Sequence, residues 1–301
     1  MAIITCGMIG QTLTAQLPPI QKAIDLPDLS SALIRKVIAT SDDGIIAFVQ
    51  HDSLRSVVKL DVNGDLAWSQ RISSGAVDPH WDVRDMEPTT DGGAVLMREF
   101  WDGDWVDGSV YVVLTRLDAA GAIVWNKRYQ LPGMNSLTTH LADLMTNGAD
   151  EFFILTWATF FGGSDPHGVV KIDGSGAVLW CTHILSDVGP TFLSRLYPSQ
   201  GGGCIFVDYP SGSLGYEKIN VVLLDASGNL AWGRSVEMTN GNWTTWSGTT
   251  IQSSTGDVYV QGDQSSTGAP SLSYGFMFKI APTGDLRWYK LYGSGSLPNS
   301  F

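Results

Sequence analysis

The sequence is poor in charge and in long apolar runs, and each shortage excludes a class of protein. Asp, Glu, Lys and Arg make up only 16% of the 301 residues, against about a quarter in typical globular proteins. Long stretches rich in Ala, Glu, Lys, Leu and Arg are absent, which argues against a helical bundle. No run approaches the roughly 18 apolar residues of a membrane-spanning helix, so we expect no membrane insertion.

Clusters of positive charge are also missing. The formal net charge is -12, and the longest basic cluster is Arg35-Lys36. Nucleic-acid binding needs clustered Lys and Arg against the phosphates. We therefore exclude nucleic acid as a partner, and an acidic membrane surface is disfavoured for the same reason.

Cysteine is scarce, and its pattern predicts no cross-links and no metal. Cys6, Cys181 and Cys204 are odd in number and have no short spacing, so they do not form a disulfide framework. We expect buried free thiols. Neither zinc spacing nor a complete calcium loop occurs, and Walker and dinucleotide-binding motifs are absent. The sequence thus predicts no metal and no cofactor.

Glycine and tryptophan, by contrast, are abundant, with 34 and 11 residues, and both fall into a repeat. One phrase, typified by KLDVNGDLAW, occurs five times and ends on a tryptophan. These tryptophans, 52 to 57 residues apart, are Trp68, Trp125, Trp180, Trp232 and Trp288. Five copies in one register are the strongest signal in the chain.

Each repeat predicts four antiparallel strands. A turn-then-strand phrase such as TTDGGAVLM precedes each tryptophan phrase, and a short apolar segment precedes that. In the Asp-x-x-Gly turn before the last strand, the Asp accepts backbone N–H groups and the Gly takes a positive φ. The fifth copy has Ala281-Pro282 instead of Asp. We therefore expect a slightly irregular fifth unit.

A four-stranded sheet cannot bury both of its faces alone, and radial stacking of copies solves this problem. We predict an all-β fold, a five-bladed β-propeller of four-stranded antiparallel blades over residues 34–301, with an extended N-terminal arm over 1–33. A linear array of sheets is the alternative architecture. The five repeats fall at about 34–74, 82–131, 140–185, 192–237 and 247–292.

The pattern T-x-D-G-G, followed by K-L-D-x-x-G-x-x-x-W, resembles the repeat of bacterial β-propellers in cell-surface and secreted proteins. Its second half is similar to quinoprotein-like propeller repeats. The resemblance covers about 260 residues and implies a propeller fold. It implies no single function, because propellers host binding, scaffolding and catalysis alike. Relatives usually carry an export signal, which this N-terminus, with no basic residue before Lys22, does not resemble.

Charged residues are predicted around the propeller axis. Alignment of the innermost strands gives five equivalent positions: Lys36, Asp85, Asp143, Arg195 and Thr250. One interpretation is a glycoside-active enzyme with Asp85 and Asp143 as acid and as base or nucleophile. The interpretation we favour is a charge-balanced ring that plugs the axis, because buried charges need partners. Such glycosidases usually need a third acidic residue, which the other positions do not supply, so we assign no catalytic residue.

Two segments outside the repeat, WDGDWVDG and NGNWTTW, have a loop-like composition. Tryptophan beside Asp and Asn is typical of sugar-binding sites, where rings stack on sugar faces and polar groups bind hydroxyls. Packing of these rings between blades is the alternative. The predicted ligand-binding residues are Trp101, Asp104, Trp105, Trp243 and Trp246.

The first 33 residues repeat nothing in the rest of the chain, and their first half is apolar. One interpretation is a strap folded across the propeller. The other is an arm that docks on a neighbouring subunit, where the partner supplies the burial. The residues of such an assembly arm are Ile3, Ile4, Met8, Ile9 and Leu13.

These features together predict a non-enzymatic binding or structural protein. We expect a subunit of a larger assembly such as a phage virion or tail, with the arm bound to other protein subunits and the loops turned to a partner or a surface glycan. A virion-associated location is favoured over a cytoplasmic or secreted one. A glycoside-active enzyme and a bacterial surface scaffold are the alternatives.

Overall fold

A computed structural model describes ten parts of the chain: residues 33–51, 54–72, 83–102, 109–129, 139–158, 166–185, 194–208, 218–237, 243–266 and 273–293. All regular structure in these parts is β-strand. The residues of the predicted N-terminal arm before Leu33 lie outside them. No helix within the described ranges could cross a membrane.

Twenty strands form five blades, numbered here in chain order. Blade 1 has β1 (Leu33–Ala39), β2 (Ile45–His51), β3 (Leu54–Leu60) and β4 (Leu66–Arg71). Blade 2 has β5 (Val83–Pro88), β6 (Ala94–Asp102), β7 (Ser109–Leu117) and β8 (Ile123–Tyr129). Blade 3 has β9 (Thr139–Thr146), β10 (Phe152–Ala158), β11 (Pro166–Ile172) and β12 (Val178–Leu185). Blade 4 has β13 (Arg195–Pro198), β14 (Cys204–Asp208), β15 (Lys218–Leu224) and β16 (Leu230–Glu237). Blade 5 has β17 (Trp243–Gln252), β18 (Val258–Ser266), β19 (Ser273–Ile280) and β20 (Leu286–Tyr292).

Every blade is a simple antiparallel meander, in which each strand pairs with the next one along the chain. The prediction of five four-stranded antiparallel sheets is therefore confirmed. Within the ranges that the structure describes, each sheet is made from the strands of one repeat, and none of these strands comes from another repeat. Successive side chains of a strand point to opposite faces, so each sheet has one set of side chains on one face and a second set on the other face.

The Asp-x-x-Gly turn has the same hydrogen bonds wherever the Asp occurs. In the first copy, Oδ1 of Asp61 accepts the N–H groups of Asn63 at 2.9 Å and Asp65 at 2.8 Å. In the fifth copy the turn survives without the carboxylate, because the N–H of Ala281 still donates to the carbonyl of Asp285 at 2.8 Å. The hydroxyl of Thr283 adds a hydrogen bond to Oδ2 of Asp285 at 2.8 Å, so the irregularity expected of the fifth unit is not found at this turn.

Apolar residues on facing sheets form a shared core between successive blades. Ile46 and Phe48 of blade 1 cluster with Met86 and Leu96 of blade 2. Similar clusters join blades 2 and 3, blades 3 and 4, and blades 4 and 5. A sheet with a neighbour on each side buries both faces, which is the arrangement of a β-propeller.

The first four of the repeated tryptophans each lie against the turn glycine of the next blade. The indole N–H of Trp68 donates to the carbonyl of Ala119 in blade 2 at 2.8 Å, and that of Trp180 donates to Ala226 in blade 4 at 2.8 Å. A Cβ added at Gly121 would lie 2.7 Å from the Trp68 ring. The turn glycine thus meets two needs, a positive φ and close approach of the indole.

One face of blade 5 departs from this pattern of close contact. Lys59 of β3 and Lys171 of β11 each donate to a turn carbonyl of the next blade, Gly92 at 2.8 Å and Gly202 at 2.9 Å. The equivalent Lys279 of β19 instead pairs within its own blade. Its side chain is 24% exposed, against 4% for each of the other two lysines.

The first blade has an exposed face as well. Val37 of β1 is 49% exposed, whereas the equivalent Met86 and Leu144 of the next two blades are buried. Ile251 of β17 in blade 5 is also exposed. We call these exposed faces of blades 1 and 5 the seam and define it by Val37, Ile251 and Lys279.

The free thiols follow from the packing of the sheets. Cys204 is buried in blade 4, and burial raises the pKa of its thiol to about 12. Cys181 is half-buried, and burial raises its pKa as well. Both thiols therefore stay protonated at neutral pH, as suits structural cysteines. Cys6 lies outside the described residues.

Candidate functional site

The innermost strands of the first four blades bring charged side chains together near the axis. We call this group the axial cluster and define it as Lys36, Asp85, Glu87, Asp143 and Arg195. The Lys36 ammonium forms an ion pair with Asp85 and lies 3.2 Å from Oε1 of Glu87. Glu87 was missed by the sequence analysis. The signal was present, because residues two apart on a strand share a face and Glu87 follows Asp85 by two.

Two carboxylates of the axial cluster bind the backbone of the following blade. Oδ2 of Asp85 in blade 2 accepts the N–H of Leu144 in blade 3 at 2.9 Å. Oδ2 of Asp143 in blade 3 accepts the N–H of Leu196 in blade 4 at 2.7 Å. Oδ1 of Asp85 is also occupied, by Lys36 and by the N–H of Met86. The two aspartates thus act as successive clamps between blades.

Burial controls the ionisation of these acids. It raises the pKa of Asp143 from 3.8 to about 7; the hydrogen bond from Leu196 opposes the rise, and the negative charge of Asp85 adds to it. Burial also raises the pKa of Glu87, against the attraction of Lys36. Burial alone would lower the pKa of Lys36, but Asp85 and Glu87 outweigh it and leave that pKa raised. The cluster therefore holds a firmly charged lysine and at least one acid that titrates near neutrality.

The fourth and fifth blades contribute less than the alignment suggested. The guanidinium of Arg195 donates to the carbonyl of Ser194 at 3.0 Å. Thr250 was predicted to be equivalent to Arg195, but that prediction is wrong by one residue. Arg195 and Thr249 pair with corresponding residues of the next strand, whereas Thr250 is buried. The error lies in the count back from the turn, because Arg195 is four residues before Ser199 and in blade 5 the residue four before the equivalent Ser253 is Thr249.

The predicted aromatic site is only partly described. Trp101 lies in β6, where its backbone pairs with Val110, and Trp243 and Trp246 lie in β17. These three residues therefore lie in strands rather than in loops. Tryptophan is a residue type that favours strands. Two further predicted ligand residues, Asp104 and Trp105, lie outside the described residues, as do the assembly-arm residues Ile3, Ile4, Met8, Ile9 and Leu13.

A cavity of about 270 Å³ lies in blade 5. The residues that shape it are Gly248, Gln261, Asp263, Gly275, Met277 and Tyr292. The backbone of Asp263 pairs with that of Trp246, so the last residue of the second predicted aromatic segment lies on the strand next to a lining residue of the cavity. Gln261 and Asp263 were not predicted as site residues. The signal was present at Gln261, a polar residue at a strand position that is apolar in the other four blades.

The described residues include no group of three or more His, Cys, Asp or Glu side chains placed to hold a metal ion. The axial cluster could take part in proton transfer, because Asp143 titrates near neutrality beside a second acid. It could equally serve to hold the blades together. The chemistry of the cavity is that of a carboxylate, an amide and an aromatic ring.

Comparison with known proteins leaves the function open. No family model matches the chain, and no curated protein matches it. A protein of unknown function from Bacteroides caccae shares 10% identity, with a TM-score of 0.42 over 81% of this chain and 92% of its own. A subtype N10 neuraminidase-like protein of A/little yellow-shouldered bat/Guatemala shares 11%, with a TM-score of 0.47 over 87% and 88%. A mannose phosphorylase from Leishmania mexicana shares 15%, with a TM-score of 0.38 over 71% and 69%. Function must therefore be argued from this chain's own residues.

Proposed function

We propose that the chain is a non-enzymatic five-bladed β-propeller that acts by binding. In this proposal it is a subunit of a larger assembly such as a phage virion or tail. Residues 1–33 anchor it to other subunits, and its loops face a partner or a surface glycan.

The hydrogen bonds that the axial carboxylates make support the proposal that the chain is not an enzyme. A catalytic carboxylate needs an oxygen free to meet its substrate. Both oxygens of Asp85 are engaged, one by Lys36 and Met86 and the other by Leu144. Oδ2 of Asp143 accepts the backbone N–H of Leu196. Carboxylates that hydrogen-bond to the backbone of a neighbouring blade are suited to holding the blades together rather than to catalysis.

The sequence of the arm supports the assembly part of the proposal. The first half of the arm is apolar, the arm belongs to no repeat, and it precedes a first blade whose Leu33 and Val37 are exposed. An apolar segment outside the repeated core gains burial when it docks on a partner. The arm is therefore the segment most suited to contact other subunits.

Removal of residues 1–32 tests this proposal. In sedimentation velocity we expect the full chain to form species larger than its 32.5-kDa protomer and the truncated chain to be a monomer. The control is the thermal unfolding midpoint, which should be the same for both if the arm lies outside the folded core. Full and truncated chains that both sediment as monomers would contradict the assembly role.

A glycoside-active enzyme is the second candidate, and two observations favour it. The pKa of Asp143 is raised to about 7, partly by the nearby charge of Asp85, and environments that separate the pKa values of two acids are typical of acid–base pairs. Glu87 also supplies the third acid that the sequence analysis lacked. Hydrolysis of a panel of nitrophenyl glycosides that is lost in Asp143→Asn would support this candidate. Equal, background-level hydrolysis by both proteins would remove it.

A further inference from the structure

One face of blade 5 differs from the same face of the other four blades. At the middle of the second strand the other blades place Phe48, Met97, Leu155 and Val207, all of them buried. Blade 5 has Gln261 there, and it is exposed. Exchange of a core residue for an amide weakens the contact between blades, so packing does not account for it.

A glycine, Gly275, leaves further space on this face because it has no side chain. Gly275 has no positive φ, and a Cβ added there would meet nothing closer than Oδ1 of Asp263 at 3.7 Å. Neither conformation nor crowding therefore requires glycine at this position. Blade 2 has the buried Val112 at the equivalent position. A strand glycine without such a need is typical of a site that another molecule approaches.

The floor of the cavity, in contrast, is fixed. A Cβ at Gly248 would lie 1.6 Å from the carbonyl oxygen of Gln261, so only glycine fits there. The hydroxyl of Tyr197 in blade 4 donates to the carbonyl of Gly248 at 3.1 Å. The cavity thus has a rigid base, which is a property of preformed ligand sites.

Size and chemistry define the kind of ligand. A volume of about 270 Å³ lies just below the roughly 300–1,000 Å³ of ordinary ligand pockets, which suits one small ring. Asp263 and Gln261 can bind hydroxyl groups, and Tyr292, 53% exposed at the rim, offers a flat apolar surface. No Lys or Arg is among the lining residues, and Asp263 would repel an anion.

We propose that this cavity binds a single neutral sugar ring, such as the end of a surface glycan. The ring packs its apolar face on Tyr292 and places hydroxyl groups against Asp263 and Gln261. The site deepens the proposed function, on which it rests, because it assigns glycan binding to the open face of blade 5.

Gly275→Val tests the site with little risk to the fold. It fills the cavity with the residue that blade 2 has at the same position. The matched control is Gly233→Ala in β16, where a Cβ would meet only Val222 at 3.9 Å, outside the cavity. The probes are neutral methyl glycosides, namely those of glucose, galactose, mannose and N-acetylglucosamine, observed by saturation-transfer NMR.

We expect wild type and Gly233→Ala to bind at least one methyl glycoside, and Gly275→Val to bind it at least tenfold more weakly. Asp263→Ala should weaken the same binding without a change in thermal midpoint. Equal binding by all variants would overturn the site and leave a glycan-binding propeller intact. No binding by wild type at tens of millimolar would also overturn the site, while the assembly role would still be judged by the arm deletion.

Discussion

Asp143 lies in an environment that disfavours the ionised form of its carboxyl group. Burial and the nearby charge of Asp85 raise its pKa to about 7, although Leu196 donates a hydrogen bond to it. The folded protein therefore binds this proton more tightly than the unfolded chain does, for which the ordinary value of 3.8 applies. By linkage, the stabilisation is complete below about pH 4 and is lost as the pH rises to about 7.

The pH dependence can be isolated with Asp143→Asn, which is neutral at every pH and still accepts a hydrogen bond. We expect the free energy of unfolding of this variant, relative to wild type, to increase between pH 4.5 and pH 8. Urea unfolding at both pH values measures the difference. A constant difference would mean that Asp143 titrates as an ordinary carboxyl group.

Sequence alone located most but not all of the axial residues. Asp85 and Asp143 were predicted from equivalent positions in the repeat, and the structure places both near the axis. Glu87 was missed because the alignment followed one position per blade and ignored the next residue on the same strand face. Thr250 was misplaced because it lies three residues before the turn residue Ser253, whereas Arg195 lies four residues before the equivalent Ser199.

At the scale of the strands, the exposed fraction of one repeated lysine side chain indicates how closely neighbouring blades pack. Lys171 has a nearly buried side chain, pairs with Glu151 at 2.8 Å and donates to Gly202 of the next blade. Lys279 holds the same position in blade 5 but remains far more exposed. The same residue type thus occupies two environments in one molecule.

Replacement of each lysine by Met should separate the two environments. Lys171→Met removes a nearly buried ion pair and a bond to the next blade, so we expect a loss of about 1–3 kcal/mol in the free energy of unfolding. Lys279→Met should leave stability unchanged, because an exposed pair contributes little. Chemical denaturation of both variants measures the difference, and equal losses would show that the seam is as closely packed as the other interfaces.

The strands themselves were well predicted because three signals agree within each repeat. Alternating apolar residues, an Asp-x-x-Gly turn and a closing tryptophan all specify the same hairpin. The ends of the hairpins were harder to predict. Trp101 and Trp243 were assigned to loops, since Gly, Asp and Asn surround them, yet strand pairing extends through both.

At the scale of the whole molecule, the five blades should differ in stability. Blades 2, 3 and 4 have shared clusters on both faces. Blades 1 and 5 carry the exposed seam residues Val37 and Ile251. Regions with less buried apolar contact open at a lower free energy.

Backbone amides near the seam should therefore exchange with solvent faster than those elsewhere. We expect amides of β1 and β17 to exchange faster than amides of β5, β9 and β13, which occupy the same place in the middle blades. Mass spectrometry of peptides from the native protein measures these rates. Uniform protection across the five innermost strands would mean that the seam is closed in solution.

The seam could not be predicted from the repeat, because five similar units predict five similar interfaces. What distinguishes blade 5 is a few substitutions, notably Gln261 and Gly275, in an otherwise regular phrase. Such substitutions stand out only when strand register shows which residues are equivalent. The same register shows that the repeat accounts for the architecture and that its exceptions carry the candidate sites.

The unfolding free energy of Asp143→Ala at pH 4.5, where the folded protein keeps this carboxyl group protonated because its pKa is raised to about 7, tests most directly whether the axial carboxylates join the blades. Alanine leaves the N–H of Leu196 without its acceptor, so a structural clamp predicts a loss of about 1–3 kcal/mol relative to wild type. Asp143→Asn is the control and should keep the clamp. Catalytic groups are often held at the expense of stability. An Asp143→Ala variant as stable as wild type, or more stable, would contradict the structural role.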